Sequence, residues 1–272
     1  MARGTGALLL VLMMTSLLLL RGSSCLQVDR PYKTPGASEV IAVLKARAGR
    51  ISTMRAESRM NHRTDQGKVK ATVRLMAQRG GKLRFDAVSP FDTPLATLVT
   101  DGKEFALVDA QKNRHYHGTA SACNIARLLQ VALSPDDVLV VLGGSTPLIK
   151  HDSARLEWDS RATAEVLTLS NKTVTQTVRL DGTDRRWDLL LSEVRTKKGE
   201  LLLQIKPNAY RSVNGLRLPA HLLVRQAGSD AQLDVTFKRE EVNIKLPAVA
   251  FELPAPGGMP SQRVDCTTVV KP

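Results

Sequence analysis

A chain of 272 residues with 43% hydrophobic and 24% charged residues can form one large β domain or two small ones, and is too apolar to be disordered. Aromatics make up only 4%, so a core has to be built from Leu, Val, Ile and Ala. The formal net charge of +13 admits nucleic acid, anionic headgroups or an acidic partner, but no stacking aromatics accompany the dispersed Lys and Arg, which argues against nucleic acid.

Residues 1–25 read as a secretory signal: Arg3, the apolar run Ala7–Leu20, small residues, then Cys25. The fourteen residues of this run at about 1.5 Å each span roughly 21 Å, short of a ~30 Å hydrocarbon core, and Arg21 follows at once. Gly22-Ser23-Ser24-Cys25 is similar to a bacterial lipobox, whose cysteine is lipidated, although Gly22 stands where an aliphatic residue is preferred. Small residues at Gly22 and Ser24 also suit ordinary cleavage after Ser24, so both routes stay open. Three cysteines in an exported chain leave one unpaired. If Cys25 carries lipid, Cys123 and Cys266 remain as a possible disulfide.

Leu26–Gly36, polar and with two prolines, reads as a tether from Cys25 to the domain. Ser38–Ala48 reads as a helix capped by Ser38, with Val40, Ile41, Val43 and Leu44 on one stripe. Strands follow at Ile51–Met60 and Lys68–Ala77. Next comes Lys82–Asp109, three strands (Lys82–Val88, Leu95–Thr100, Glu104–Val108) joined by SPFDTP and by an Asp101-Gly102 turn expected to need positive φ at both residues. Within SPFDTP, Pro90 and Phe91 put a large aromatic at a hairpin tip, where a polar surface loop is expected. After a strand at Arg114–His117 the period changes to helical over Ser121–Leu133 and Pro135–Leu142, the second capped by Ser134. Strands then resume at Arg155–Trp158, Ala164–Leu169, Thr173–Leu180, Trp187–Thr196, Leu201–Ile205, Leu218–Val224, Gln232–Phe237 and Val242–Leu246. No repeat or linker breaks residues 37–253, which read as one domain followed by a loose tail, 254–272.

His115 and His117 share a strand face, but only Asp109 stands near as a third ligand, so exposed hairpin histidines are expected rather than a metal site. No nucleophile elbow, zinc-protease motif, phosphate loop or carboxylate pair is present, so neither a catalytic residue nor a cofactor is expected.

The block Lys82–Gly144 resembles the LolB/LolA group of lipoprotein-trafficking proteins (and DUF4292-like lipoproteins). The residues that carry it are LRFDAVSPFDTPLATLVTDGKEFALVDAQKNRHYHG, the helical pair ending at DDVLVVLGG, and the later FELPAPGGM. The resemblance implies a half-open antiparallel β-barrel of about 10–12 strands with a leading helix and an inserted helical lid. It also implies a concave apolar cavity for acyl chains, with Val73, Leu75, Leu83, Phe85, Val178 and Leu233 as wall candidates and Ile125, Leu128 and Leu129 as lid candidates. In LolB the apolar residue of the protruding loop helps place lipoproteins into the membrane, and that position here is Phe91. Asp92 stands where glycine is usual. The expected protein is therefore a monomeric lipoprotein on the periplasmic face of the bacterial outer membrane, anchored through Cys25. It would take acylated lipoproteins from a periplasmic LolA-like carrier. The alternative is a LolA-like sensor or assembly scaffold that binds a protein and transfers nothing; a third reading is an anionic glycolipid or polymer held by the basic faces.

Overall fold

The computed structural model describes residues 28–64, 67–129, 131–226 and 232–264. The signal segment, Cys25 and Cys266 lie outside them. In chain order the elements are α1 (Ala37–Gly49), β1 (Thr53–Thr64), β2 (Gly67–Gln78), β3 (Lys82–Val88), β4 (Pro94–Asp101), β5 (Glu104–Asp109), β6 (Arg114–Thr119), α2 (Ala122–Leu129) and α3 (Pro135–Leu142). They continue with β7 (Ser153–Asp159), β8 (Ala164–Ser170), β9 (Val174–Asp181), β10 (Leu189–Thr196), β11 (Leu201–Val213), β12 (Leu216–Gln226), β13 (Gln232–Val242) and β14 (Ser261–Arg263).

All strands join one sheet of fourteen, in the order β14-β6-β5-β4-β3-β2-β1-β13-β12-β11-β10-β9-β8-β7. Every ladder is antiparallel except β14 on β6. No ladder joins β6 to β7, so the sheet is half-open, and the two helices that connect those strands belong to its concave side.

Alternation explains the strands. β3 buries Leu83, Phe85 and Ala87 and leaves Lys82, Arg84 and Asp86 on the other face; β9 alternates without a break. The inward residues of both halves merge with Val40 and Leu44 of α1 and with the α2–α3 residues into one core. Gln176 of β9 points inward yet is fully buried. Its amide accepts from the Ile149 N–H at 3.0 Å and donates to the Pro147 carbonyl at 2.8 Å, which fastens the α3–β7 connection onto the sheet.

Several elements differ from the sequence reading. α1 begins after Gly36, and Ser38 lies inside it rather than capping it. Asp101-Gly102 is an Asx turn: the Asp101 carboxylate accepts the Lys103 and Glu104 N–H groups, and of the two only Gly102 has positive φ. α2 does not continue to Leu133: Val131 and Leu133 turn into the core, and the Gln226 side chain accepts the Ala132 N–H. β11 runs eight residues past Ile205, through Pro207. The β10–β11 ladder has ended at Ser192–Ile205, and Pro207 stays in register with Leu222 of β12 alone. Residues 243–260 leave the sheet: Asn243 turns with φ 57°, and Leu246 and Phe251 cover Val99 on the convex side. The tail is not wholly loose, since Ser261–Arg263 adds as β14.

Cys123 is disulfide-bonded. The Val264 carbonyl, two residues before Cys266, accepts a 3.4 Å hydrogen bond from Asn124, next to Cys123. Peptide mapping under non-reducing conditions is expected to recover Cys123 joined to Cys266, and Cys123→Ser should cost about 2–4 kcal/mol of stability. A Cys25–Cys123 peptide would overturn both the pairing and the lipidation of Cys25.

Candidate functional site

The concave face is apolar and nearly full. Met60, Val73, Leu75 and Phe85 from β1–β3, and Leu222, Val224, Leu233 and Val235 from β12–β13, form its floor. Leu129, Val131, Leu133 and α3 form its roof. The space left between them is about 50 Å³, less than a cavity of roughly 150 Å³ that holds benzene. An acyl chain therefore enters only if the roof moves. Of the residues named from the sequence, Val73, Leu75, Phe85, Leu233 and Leu129 line this space. Leu83, Val178 and Ile125 are fully buried elsewhere in the same core, and Leu128 packs against it half-buried.

The two ends of the roof are held differently. α3 is fixed: Ser134 Oγ accepts the Asp137 N–H at 3.2 Å, and Asp136 accepts the Gly80 and Gly81 N–H groups at 3.0 and 2.9 Å, pinning its first turn to the β2–β3 turn. The α2–α3 linker is held to the sheet through Gln226. Gln226→Ala removes that restraint without touching the apolar wall; uptake of a fluorescent fatty acid, followed by stopped flow, is expected to speed up several-fold.

The SPFDTP loop presents Phe91 at 91% exposure, far above any other large apolar side chain described. Its backbone is built to do so. Ser89 Oγ accepts the Phe91 and Thr93 N–H groups at 3.2 and 3.1 Å, and the Ser89 N–H donates to the Thr93 carbonyl at 2.8 Å. Asp92 has φ 58°, the left-handed conformation in which glycine costs least and Asp is tolerated. The ring thus stands in water on an ordered turn, at a solvation cost that the fold itself does not recover.

Sequence reasoning missed the N-terminal arm. Residues read as a tether are docked: Arg30 Nε and Nη2 donate to both oxygens of Glu165 at 2.7 and 2.9 Å, and Tyr32 donates to the same carboxylate at 3.1 Å. Glu165 is fully buried on β8. Tyr32 packs edge-on against Trp158 and Trp187, both tryptophans of the chain, and burial with the Glu165 charge pushes its phenol up to about 12. A side chain at Gly182 would strike Trp158 and Tyr32, so glycine is required there. The available signal was composition: in a chain this poor in aromatics, Tyr32, Trp158 and Trp187 had to meet something.

The arm and Phe91 sit at opposite ends of the strands. The Val28 N–H donates to the Ser160 carbonyl in the β7–β8 turn, at the rim that also carries the β2–β3, β9–β10 and β11–β12 turns. The β3–β4 loop is at the other rim, one strand length away, about 23 Å for seven residues.

His115, expected to be exposed, is buried: it stacks on His117 with ring centroids 5.6 Å apart, and both contact Ser261 of β14. Burial, with the His117 charge adding to it, holds the His115 imidazole below its usual value. The unfolded strand takes up a proton first as pH falls, so this contribution is complete above the unfolded value near 6.5 and is lost below it. Hydrogen exchange at Val264, whose N–H donates to His117, should accelerate between pH 7 and pH 5 beyond the chemical trend, and His115→Phe should remove the extra acceleration.

No protein-family model matches the chain, and no curated protein matches it. Solved structures do. A putative outer membrane lipoprotein-sorting protein domain from Vibrio parahaemolyticus is 15% identical, with 79% of this chain and 97% of that chain covered at a TM-score of 0.55. A LolA superfamily protein from Nitrosomonas europaea is 11% identical, covering 81% and 99% at 0.55. The fold is LolA-like. A DUF1329 family protein from Desulfovibrio piger shares it, at 11% identity, 79% and 95% coverage and a TM-score of 0.54. At these identities the likeness extends to the LolA-like architecture, a half-open sheet with helices on its concave side, and says nothing of particular residues.

Proposed function

We propose that this protein is an envelope lipoprotein, anchored through Cys25 at the periplasmic face of the outer membrane, that accepts the acyl chains of other lipoproteins and helps insert them into the bilayer. The observation that carries this reading is the pairing of an aromatic displayed on an ordered loop with an apolar concave interior roofed by α2, α3 and their linker. Acyl chains crossing water need such a wall, because each buried methylene is worth about 0.8 kcal/mol. Transfer is non-covalent, the donor is a soluble LolA-like carrier, and the protein acts as a monomer. The test is delivery of a triacylated lipoprotein from carrier to outer-membrane vesicles: the wild-type protein supports it and Phe91→Glu does not.

The small free volume favours a second reading, a scaffold whose filled barrel binds a protein partner and no lipid. Mass spectrometry of lipids that copurify with the protein separates the two. Acyl chains in stoichiometric amount support the carrier, and a lipid-free, fully active protein supports the scaffold.

A further inference from the structure

A second cavity, of about 340 Å³, opens at the rim that holds the N-terminal arm, between the end of α1, the β9–β10 connection and the β11–β12 turn. Five arginines line it, Arg47, Arg50, Arg185, Arg186 and Arg217, and among the described residues no lysine or carboxylate joins them in the lining. The Arg47 and Arg217 guanidiniums meet at Asp188, Arg185 lies over the Tyr32 ring and donates to the Lys33 carbonyl, and Arg50 and Arg186 are exposed around the opening, which gives the concavity a positive potential.

Two of the arginines are held in place. Asp188, buried on the strand side, takes Arg47 Nη1 at 2.8 Å on one oxygen and Arg217 Nη2 at 2.7 Å on the other. Both guanidiniums also lie over the Tyr210 ring, 5.4 and 5.8 Å from its centroid. The Tyr210 hydroxyl is within hydrogen-bond distance of the Gly144 and Leu189 carbonyls. Arg47 further donates to the Trp187 and Arg217 carbonyls, so its position is fixed by the backbone on both sides. Asp188 neutralises one of the two charges it binds, and Asp181 also acts on Arg217. Arg185 is stacked over Tyr32 at 5.1 Å, and Arg50 is exposed at the mouth. Val43, Leu216 and Leu218 supply an apolar side to the same cavity.

We propose that this cavity is a binding site for a phosphate monoester carried on an amphiphile, as in a phosphorylated lipid headgroup. Arginine is suited to it because the planar fork meets phosphate oxygens in pairs, whereas lysine meets them as a point charge. The dianion answers the excess positive charge, and the apolar side accommodates the part of the molecule next to the phosphate. The proposal rests on the lipoprotein reading in one respect: Val28, docked at this rim, is three residues from Cys25, so a lipidated Cys25 brings the cavity to the membrane surface.

The test uses the purified full chain in two arms. Calorimetry with inorganic phosphate and glycerol 3-phosphate reports free phosphate; flotation on phosphatidylcholine vesicles with and without phosphatidic acid reports headgroup phosphate, read as the gain over phosphatidylcholine alone. The variants are Arg50→Gln with Arg185→Gln, Arg217→Lys, and Lys198→Gln at the opposite rim as a control. Saturable binding, weakened tenfold or more by the double variant and by the charge-preserving Arg217→Lys but not by Lys198→Gln, is the expected result. Gain on the vesicles without calorimetric binding identifies a headgroup; equal binding in both arms identifies any phosphate ester. The proposal is overturned if neither arm shows saturable binding, or if Lys198→Gln weakens it as much as the arginine variants, which would mean a diffuse charge effect. Acyl-lipopeptide binding by the same variants, expected to be unchanged, keeps failure of this site distinct from failure of the carrier reading.

Discussion

Phe91→Glu is expected to leave the melting temperature of the protein nearly unchanged and to lower lipoprotein delivery to vesicles by tenfold or more. Both halves of that result follow from exposure. A side chain that is 91% exposed contributes no core packing, and such surface changes stay within about ±0.5 kcal/mol. The backbone hydrogen bonds of the loop run through Ser89 and survive the substitution. In the proposed role, what the variant loses is the burial of an aromatic ring in the bilayer interface, about 1.5–3 kcal/mol for a phenylalanine, where each 1.4 kcal/mol is a factor of ten. The added carboxylate makes entry into the interface worse. Unimpaired delivery by this variant would remove the membrane role of the loop.

Arg30→Ala is expected to release the arm without unfolding the domain. Removing one partner of a buried ion pair costs about 3–5 kcal/mol when the other charge stays buried. Here Arg30 and Tyr32, which bond the Glu165 carboxylate, both belong to the arm, so the chain is expected to avoid that cost by letting the arm peel away and water reach the carboxylate. Hydrogen exchange and proteolysis at residues 28–36 should therefore rise by an order of magnitude or more, while the sheet keeps its protection. The consequence is one of reach. With the arm docked, Val28 is three residues from Cys25, at most about 10 Å. With the arm free, twelve residues separate Cys25 from the start of α1, up to about 40 Å. Because Phe91 is on the opposite rim, in the proposed Cys25-anchored lipoprotein a docked arm turns the loop away from the anchoring membrane and a free arm lets it come round. For the lipidated protein, Arg30→Ala should thus speed delivery into its own membrane; slower delivery would show that the docked orientation is the working one.

The half of the fold that is local was legible in the sequence. β3, β8 and β9 follow from two-residue alternation, and α3 follows from Ser134, Pro135 and an apolar run that stops at glycines. What escaped was set by distant partners. Pro207 looks like the end of a strand unless one knows that the neighbouring ladder has already finished. His115 looks exposed until Ser261, far along the chain, lies beside it. Arg30 and Tyr32 look like linker residues until Glu165 is found buried beneath them. The concave face shows the same divide: Val73, Leu75, Phe85 and Leu233 were legible as inward residues, but nothing in the pattern says that Val131 and Leu133 fold in to fill the space above them.

Whether the roof opens is therefore the centre of the account. The direct measurement is hydrogen exchange of the purified protein with and without a triacylated lipopeptide. The account predicts one lipopeptide per chain and altered exchange across α2 and the linker to Leu133 and on the inner face of β1, β2 and β12, with α3 and the convex side unchanged. No binding at saturating lipopeptide, or binding that leaves those amides as they were, would contradict it.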